Sequence, residues 1–191
     1  MQLVFATNNE HKLEEIRSLM KRADLLSLKD LGILEDIEET GDTLNQNALL
    51  KAGYVFERYG HDVFADDTGL EVKALDGAPG VFSARFAGEE KSAGKNIEKL
   101  LLLMKNKKNR EAHFKTVIAL ILDGDIHFFE GIVEGTILEE PIGTNGFGYD
   151  PIFKPDGYDV SFAQMDIETK NKISHRGRAI EKLVEFLNFK L

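Results

Sequence analysis

The 191-residue sequence contains no cysteine. Disulfides, thiolate metal sites and cysteine nucleophiles are therefore excluded, and a reducing compartment suits the chain. Positive charge is scarce: 24 Lys and Arg stand against 33 Asp and Glu, a formal net charge of −9. Binding a phosphate backbone needs a basic surface, so this balance argues against a nucleic-acid polymer as partner. A small anion can still be held where Lys, Arg and backbone N–H groups are concentrated. Long apolar runs are missing too. Leu100 to Met104 and Val117 to Leu122 are far too short to span a bilayer. The N-terminus lacks the basic segment and apolar region of a signal peptide, so the expectation is a cytoplasmic protein with no membrane partner. With 30% charged residues and ordinary apolar content, the chain reads as one globular domain, residues 1–191, built in two lobes.

Periodicity lays out the elements. Gln2 to Ala6 reads as a first strand, followed by a helix capped by Asn8 or Asn9, with Leu13, Ile16, Leu19 and Met20 on one face. A second helix begins near Thr43. It carries a stripe of Leu44, Ala48, Ala52, Val55 and Tyr59 and ends at Gly60, and Thr43 and Gln46 have capping-box spacing. Val63-Phe64-Ala65 reads as a buried strand that stops at Asp66-Asp67-Thr68-Gly69, with a separate run at Leu70 to Val72. A third helix bears Ile97, Leu100, Leu101 and Met104. Ala112 to Leu122 and Ile126 to Val133 are β-rich runs joined by the hairpin signal Asp123-Gly124-Asp125, and Thr136 to Leu138 extends that sheet. A last helix from about Ser174 shows Ile180, Leu183, Val184 and Leu187 on one face. Parallel strand–helix units at both ends around a long antiparallel hairpin imply a mixed α/β fold of two lobes flanked by helices.

Five segments carry chemistry-bearing residues. The adjacent carboxylates Asp66 and Asp67 lie where open α/β sheets place ligands, and strand geometry sends them to opposite faces. One is expected to hold a cation or a proton while the other ties down a turn. Thr7-Asn8-Asn9-Glu10-His11-Lys12 joins a strand to a helix. Such a loop offers unpaired N–H groups and a positive dipole end to a phosphate, with Lys12 adding charge. No glycine occurs there, so it is not a P-loop. The acidic run Glu35 to Glu39 reads as a solvated face, unless a Glu near Asp67 completes an oxygen set for Mg²⁺. Gly143 to Asp150 places three glycines around Phe147, which is available either to stack on a base or to fill the core. Lys170, with Ser174-His175-Arg176 opening the last helix, completes the inventory. His and Arg in a first helical turn oppose the dipole, which points to another task.

Together these loops resemble the inosine/xanthosine triphosphate pyrophosphatase family, which clears non-standard purine nucleotides. The resemblance rests on seven motifs in order: Thr7-x-Asn9-x-x-Lys12, Glu39-Thr40-Gly41, Ala65-Asp66-Asp67-Thr68-Gly69, Gly77-Ala78-Pro79-Gly80, Ser83-Ala84-Arg85, Gly146-Phe147-Gly148-Tyr149-Asp150-Pro151 and Ile173-Ser174-His175-Arg176. It implies an α/β homodimer with its active site in a cleft between two lobes. In it, Mg²⁺-dependent hydrolysis of ITP, dITP or XTP gives the nucleoside monophosphate and pyrophosphate. Thr7, Asn8, Asn9, Glu10, His11 and Lys12 would hold the triphosphate. Glu39 and Asp67 would manage Mg²⁺, with Asp67 also the proton acceptor. Thr68 would touch substrate, and Phe147, Gly148, Tyr149, Asp150, Lys170, His175 and Arg176 would surround the nucleoside. The chain departs from the family where Thr68 replaces the usual Ser and Gln46 the usual Glu. Two rivals stand beside this reading: a pyrophosphatase for other modified nucleotides, and a nucleotide-binding regulator without hydrolysis.

Overall fold

A computed structural model of the chain describes residues 2–20, 24–35 and 37–190. Asp36, within the acidic run, lies outside the described residues. The elements in order are β1 (Gln2–Phe5), α1 (Glu10–Leu19), β2 (Asp24–Ser27), α2 (Leu44–Tyr59), β3 (Val63–Val72), β4 (Pro79–Gly80), α3 (Ala93–Leu103), β5 (Glu111–Leu122), β6 (Asp125–Ile137), β7 (Phe153–Pro155), α4 (Ile167–Ile173) and α5 (His175–Lys190). The strands pair in the order β2-β1-β3-β5-β6-β7, with β4 also on β3. β1 is parallel to β2 and β3, whereas β3–β4 and β6–β7 are antiparallel. The mixed α/β class expected from the periodicity is the class observed.

The chain divides into two compact units. One comprises residues 1–67, 116–131 and 176–191, the other 68–115 and 132–175, so the division falls inside β3, β5 and β6. The core of the first unit gathers Leu3 and Phe5 of β1, Leu13 and Ile16 of α1, Phe64, Ile118 and Leu120 of the long strands, and Ile180, Leu183 and Leu187 of α5. Phe5 and Phe64 stack there with centroids 4.7 Å apart. The core of the second unit collects Leu70, Leu100, Met104, Phe114, Ile137, Phe153 and Phe162.

Several local expectations are corrected. β3 does not stop at the acid pair: it runs on through Asp66, Asp67, Thr68 and Gly69 to Val72. Polar residues end a strand only when water is their best partner, and here both carboxylates find partners inside the fold. Thr136 and Ile137 belong to β6 itself. A parallel strand–helix unit exists at the N-terminal end, as β1-α1-β2, but the C-terminal end has none, since β7 is antiparallel to β6. Tyr59 is 43% exposed and falls off the buried stripe of α2. The capping box at α2 is half formed. Thr43 Oγ1 accepts the Gln46 N–H, but Gln46 Oε1 accepts from Asp42 N at 2.7 Å rather than from Thr43. The hairpin turn is as expected, with Asp123 and Gly124 at φ +52° and +87°, both of the sign a two-residue primed turn requires.

Candidate active site

The first loop is held by its own side chains. Asn9 caps α1, its Oδ1 accepting the Lys12 N–H at 3.2 Å. Thr7 Oγ1 accepts the Asn9 N–H at 3.2 Å. Asn8 Nδ2 donates to the carbonyls of Leu34 and Glu35. Glu10 and His11 stay exposed. The Lys12 ammonium turns inward, with Nζ 2.8 Å from Asp66 Oδ1.

Asp66 is the centre of a buried charge chain. Its Oδ2 accepts Arg176 Nε at 3.0 Å, and Arg176 Nη1 in turn donates to Glu15 of α1. Burial works against the Asp66 anion, but the charges of Lys12, Arg176 and Lys51 overcome it and hold the carboxyl well below the usual carboxylate range. Burial likewise opposes the Arg176 cation, and Glu15 and Asp66 outweigh it. Lys12 shifts the other way. Burial, with Lys51 and Arg176 nearby, lowers its pKa despite Asp66 and Asp67.

Asp67 takes different partners, as alternation along β3 requires. Its Oδ2 accepts Asn47 Nδ2 at 3.0 Å. Burial raises its pKa and Glu39 raises it further, against the opposing pull of Lys51, Lys12 and the Asn47 hydrogen bond. Lys51, nearly buried on α2, lies 2.5 Å from Glu39 Oε1. Burial would lower its pKa, yet the carboxylates of Asp67, Glu39 and Asp66 raise it instead. Glu39 and Asp67 thus act on one ammonium, although Lys51 was not among the residues expected here.

The second unit holds a separate group. Asp150 Oδ2 accepts the Phe147 N–H at 2.8 Å and Lys170 Nζ at 2.6 Å, and both Asp150 and Lys170 are buried. The Lys170 ammonium lies 5.0 Å from the centroid of the Phe147 ring, which is half-buried and so neither pinned into the core nor free in solvent. Gly146 and Gly148 take φ +73° and +62°, the left-handed values this tight loop needs. Tyr149 points into the core: its hydroxyl donates to Ser83 O at 2.9 Å, and burial pushes its pKa above the ordinary value. His175 is buried with its ring stacked on Phe114 at 4.5 Å. Thr68, half-buried, lies on β3 in this unit.

The expected residues are therefore brought together in two sets, Lys12, Glu39, Asp67 and Arg176 in one unit, and Phe147, Asp150 and Lys170 in the other. Glu15, Asn47 and Lys51 were missed. A signal for two of them existed: Leu44, Asn47, Ala48, Lys51, Ala52 and Val55 form one buried face of α2, with two polar residues at i and i+4 inside it. Such residues are expensive to bury without partners.

Glu39 and Asp67 suit a hard divalent cation. Both offer carboxylate oxygen, Glu39 is bonded to the Lys51 ammonium, and Asp67 is near enough for its charge to raise the Lys51 pKa. Among the described residues no set of three or more His, Asp or Glu side chains could enclose a metal. A cation with one or two carboxylates, completing its shell with water and phosphate oxygens, is the Mg²⁺ pattern.

A family model described as the Ham1 family matches residues 3–186. The dITP/XTP pyrophosphatase of Christiangramia forsetii is 59% identical over 189 residues, covering 98% of this chain and 100% of that protein. The dITP/XTP pyrophosphatase of Porphyromonas gingivalis is 56% identical over 97% of each chain. The solved structure of the Staphylococcus aureus Ham1 protein matches with a TM-score of 0.90 at 41% identity over all of both chains. The resemblance drawn from the seven motifs is borne out, and the chain belongs to the Ham1 family.

Proposed function

We propose that this chain hydrolyses non-standard purine nucleoside triphosphates, dITP, ITP and XTP, to the nucleoside monophosphate and pyrophosphate. The observation that carries the reading is that Glu39, bonded to Lys51, and Asp67, bonded to Asn47, are held by one face of α2, with the Lys12 ammonium turned in on Asp66, next to Asp67 in the chain. Relatives 59% and 56% identical, matched over 97% or more of their length, are named dITP/XTP pyrophosphatases.

Lys12 and the N–H groups opening α1 would receive the phosphate tail, whose charge they complement. Glu39 and Asp67 would hold Mg²⁺, which when bound would neutralise charge on the phosphate oxygens. Asp67 would accept the proton of the attacking water. Its burial suits that task, because a base is most effective with a pKa brought towards the working pH. Arg176 would serve by holding Asp66, since its Nε and Nη1 are already donated to Asp66 and Glu15. Phe147, Gly148, Asp150, Lys170 and His175, with Thr68, would surround the nucleoside, while Tyr149, its hydroxyl bonded to Ser83, would brace that loop from the core. Lys170 and the loop N–H groups are donors, matching the C6 oxygen of hypoxanthine and xanthine and mismatching the amino group of adenine. The same reading carries residues 1–191 as one catalytic domain, acting as a homodimer in the cytoplasm.

The test is pyrophosphate release, with Mg²⁺, from dITP, ITP, XTP, GTP and ATP. ATP should be poorer than dITP by up to ~10⁴-fold, the discrimination a buried hydrogen-bond mismatch gives. Asp67→Asn should lower kcat at least ~10²-fold, the scale of a lost general base, with an unchanged circular dichroism spectrum. Equal turnover of ATP and dITP, or near-normal turnover in Asp67→Asn, would overturn the assignment.

A further inference from the structure

Asn47 has no exposed surface, and its side chain faces two elements at once. Its Oδ1 accepts the Gly41 N–H at 2.8 Å, while its Nδ2 donates to Asp67 Oδ2 at 3.0 Å. Gly41 closes the segment that carries Glu39, and Asp67 lies on β3. The contact leaves no slack. A Cβ added to Gly41 would stand 2.6 Å from Gln46 Cβ and 2.8 Å from Asn47 Oδ1. One turn further along the same face of α2, Lys51 bonds Glu39 itself. A carboxamide is suited to this place because it supplies an acceptor and a donor from one planar group. A hydrophobe of equal size supplies neither.

We infer that Asn47 is a positioning residue that sets Glu39 and Asp67 in register for a divalent cation. It acts through those two residues, fastening the Glu39-bearing loop to the Asp67 carboxylate. The inference rests on the reading of Glu39 and Asp67 as the cation-holding pair. Sequence shows Asn47 and Lys51 as two polar positions on the apolar stripe of α2, but not the partners that give Asn47 this role.

Asn47→Leu keeps the volume and removes both hydrogen bonds. Gly41→Ala leaves Asn47 intact and disturbs the same contact from the loop side. Each full-length variant is titrated with Mn²⁺ in the absence of nucleotide by electron paramagnetic resonance, melted by circular dichroism, and assayed for kcat and KM with dITP. We expect Mn²⁺ affinity and kcat to fall about 10- to 100-fold in both variants, the range for residues that orient metal ligands, while KM for dITP stays within about threefold. A side chain needed only for packing would lower the melting temperature and leave Mn²⁺ affinity unchanged. Folded Asn47→Leu with wild-type Mn²⁺ affinity and kcat would overturn the inference. If Asn47→Leu does not fold, Gly41→Ala decides by the same two readouts. A wild-type protein inert towards dITP would instead overturn the proposed activity, with the Mn²⁺ titration still deciding the role of Asn47.

Discussion

Asp66 and Asp67 are adjacent in the chain and opposite in behaviour. The difference comes from what each meets: Asp66 has two cations bonded to it, and Asp67 has an amide with a second carboxylate nearby. The Asp66 pKa in the folded protein lies below the ordinary aspartate value of 3.8. Its contribution to stability is therefore complete above that value and is lost as pH falls below it towards the folded pKa. Asp66→Asn leaves Lys12 and buried Arg176 without that partner and should cost about 3–5 kcal/mol at neutral pH. Urea unfolding across pH checks this, and the gap to wild type should close below the ordinary aspartate range. Lys12→Met should raise KM for dITP and the inhibition constant of pyrophosphate together, roughly tenfold or more, because hydrogen bonds to charged groups are worth ~1.5–3 kcal/mol. The ranking of bases should not move. A change confined to one base would remove Lys12 from the phosphate tail.

At the scale of elements, β3 shows how packing overrides a local stop signal. Asp66-Asp67-Thr68-Gly69 has turn composition, yet all four residues are strand. Gly69 is there because β4 passes directly over it: a Cβ would meet Gly80 O at 2.7 Å. Gly69→Ala should therefore destabilise the protein by about 1–3 kcal/mol, the cost of forcing atoms into a filled site. Gly53, inside α2, has nothing within 4 Å of an added Cβ. Gly53→Ala should stabilise by about 1 kcal/mol through helix propensity alone. Thermal melts of the pair give shifts of opposite sign. Equal shifts would refute the contrast between a packed and an open glycine.

For the whole molecule, the notable fact is how far apart in sequence the members of one core lie. The first unit joins Leu3 and Phe5 to Ile180, Leu183 and Leu187, nearly the full length of the chain away. Leu183 is fully buried, and Leu183→Ala should cost about 2–5 kcal/mol by urea unfolding. The polar chain repeats this pattern, since Arg176 reaches Asp66 and Glu15 from the start of the last helix.

Sequence by itself determined the helices with clean apolar stripes, the Asp123-Gly124 hairpin, the Asn9 and Thr43 caps and the family motifs. Each of these depends on residues within a few positions of one another, and local backbone chemistry is sufficient to read them. Only tertiary structure decided that β3 continues through its acids, that Gln46 bonds Asp42, and that Tyr149 turns inward to Ser83. The same holds for Glu15, Asn47 and Lys51, whose partners stand on other elements. A buried polar group is stable only with a partner, and which partner it has depends on how distant segments pack. Spacing along the chain does not carry that information.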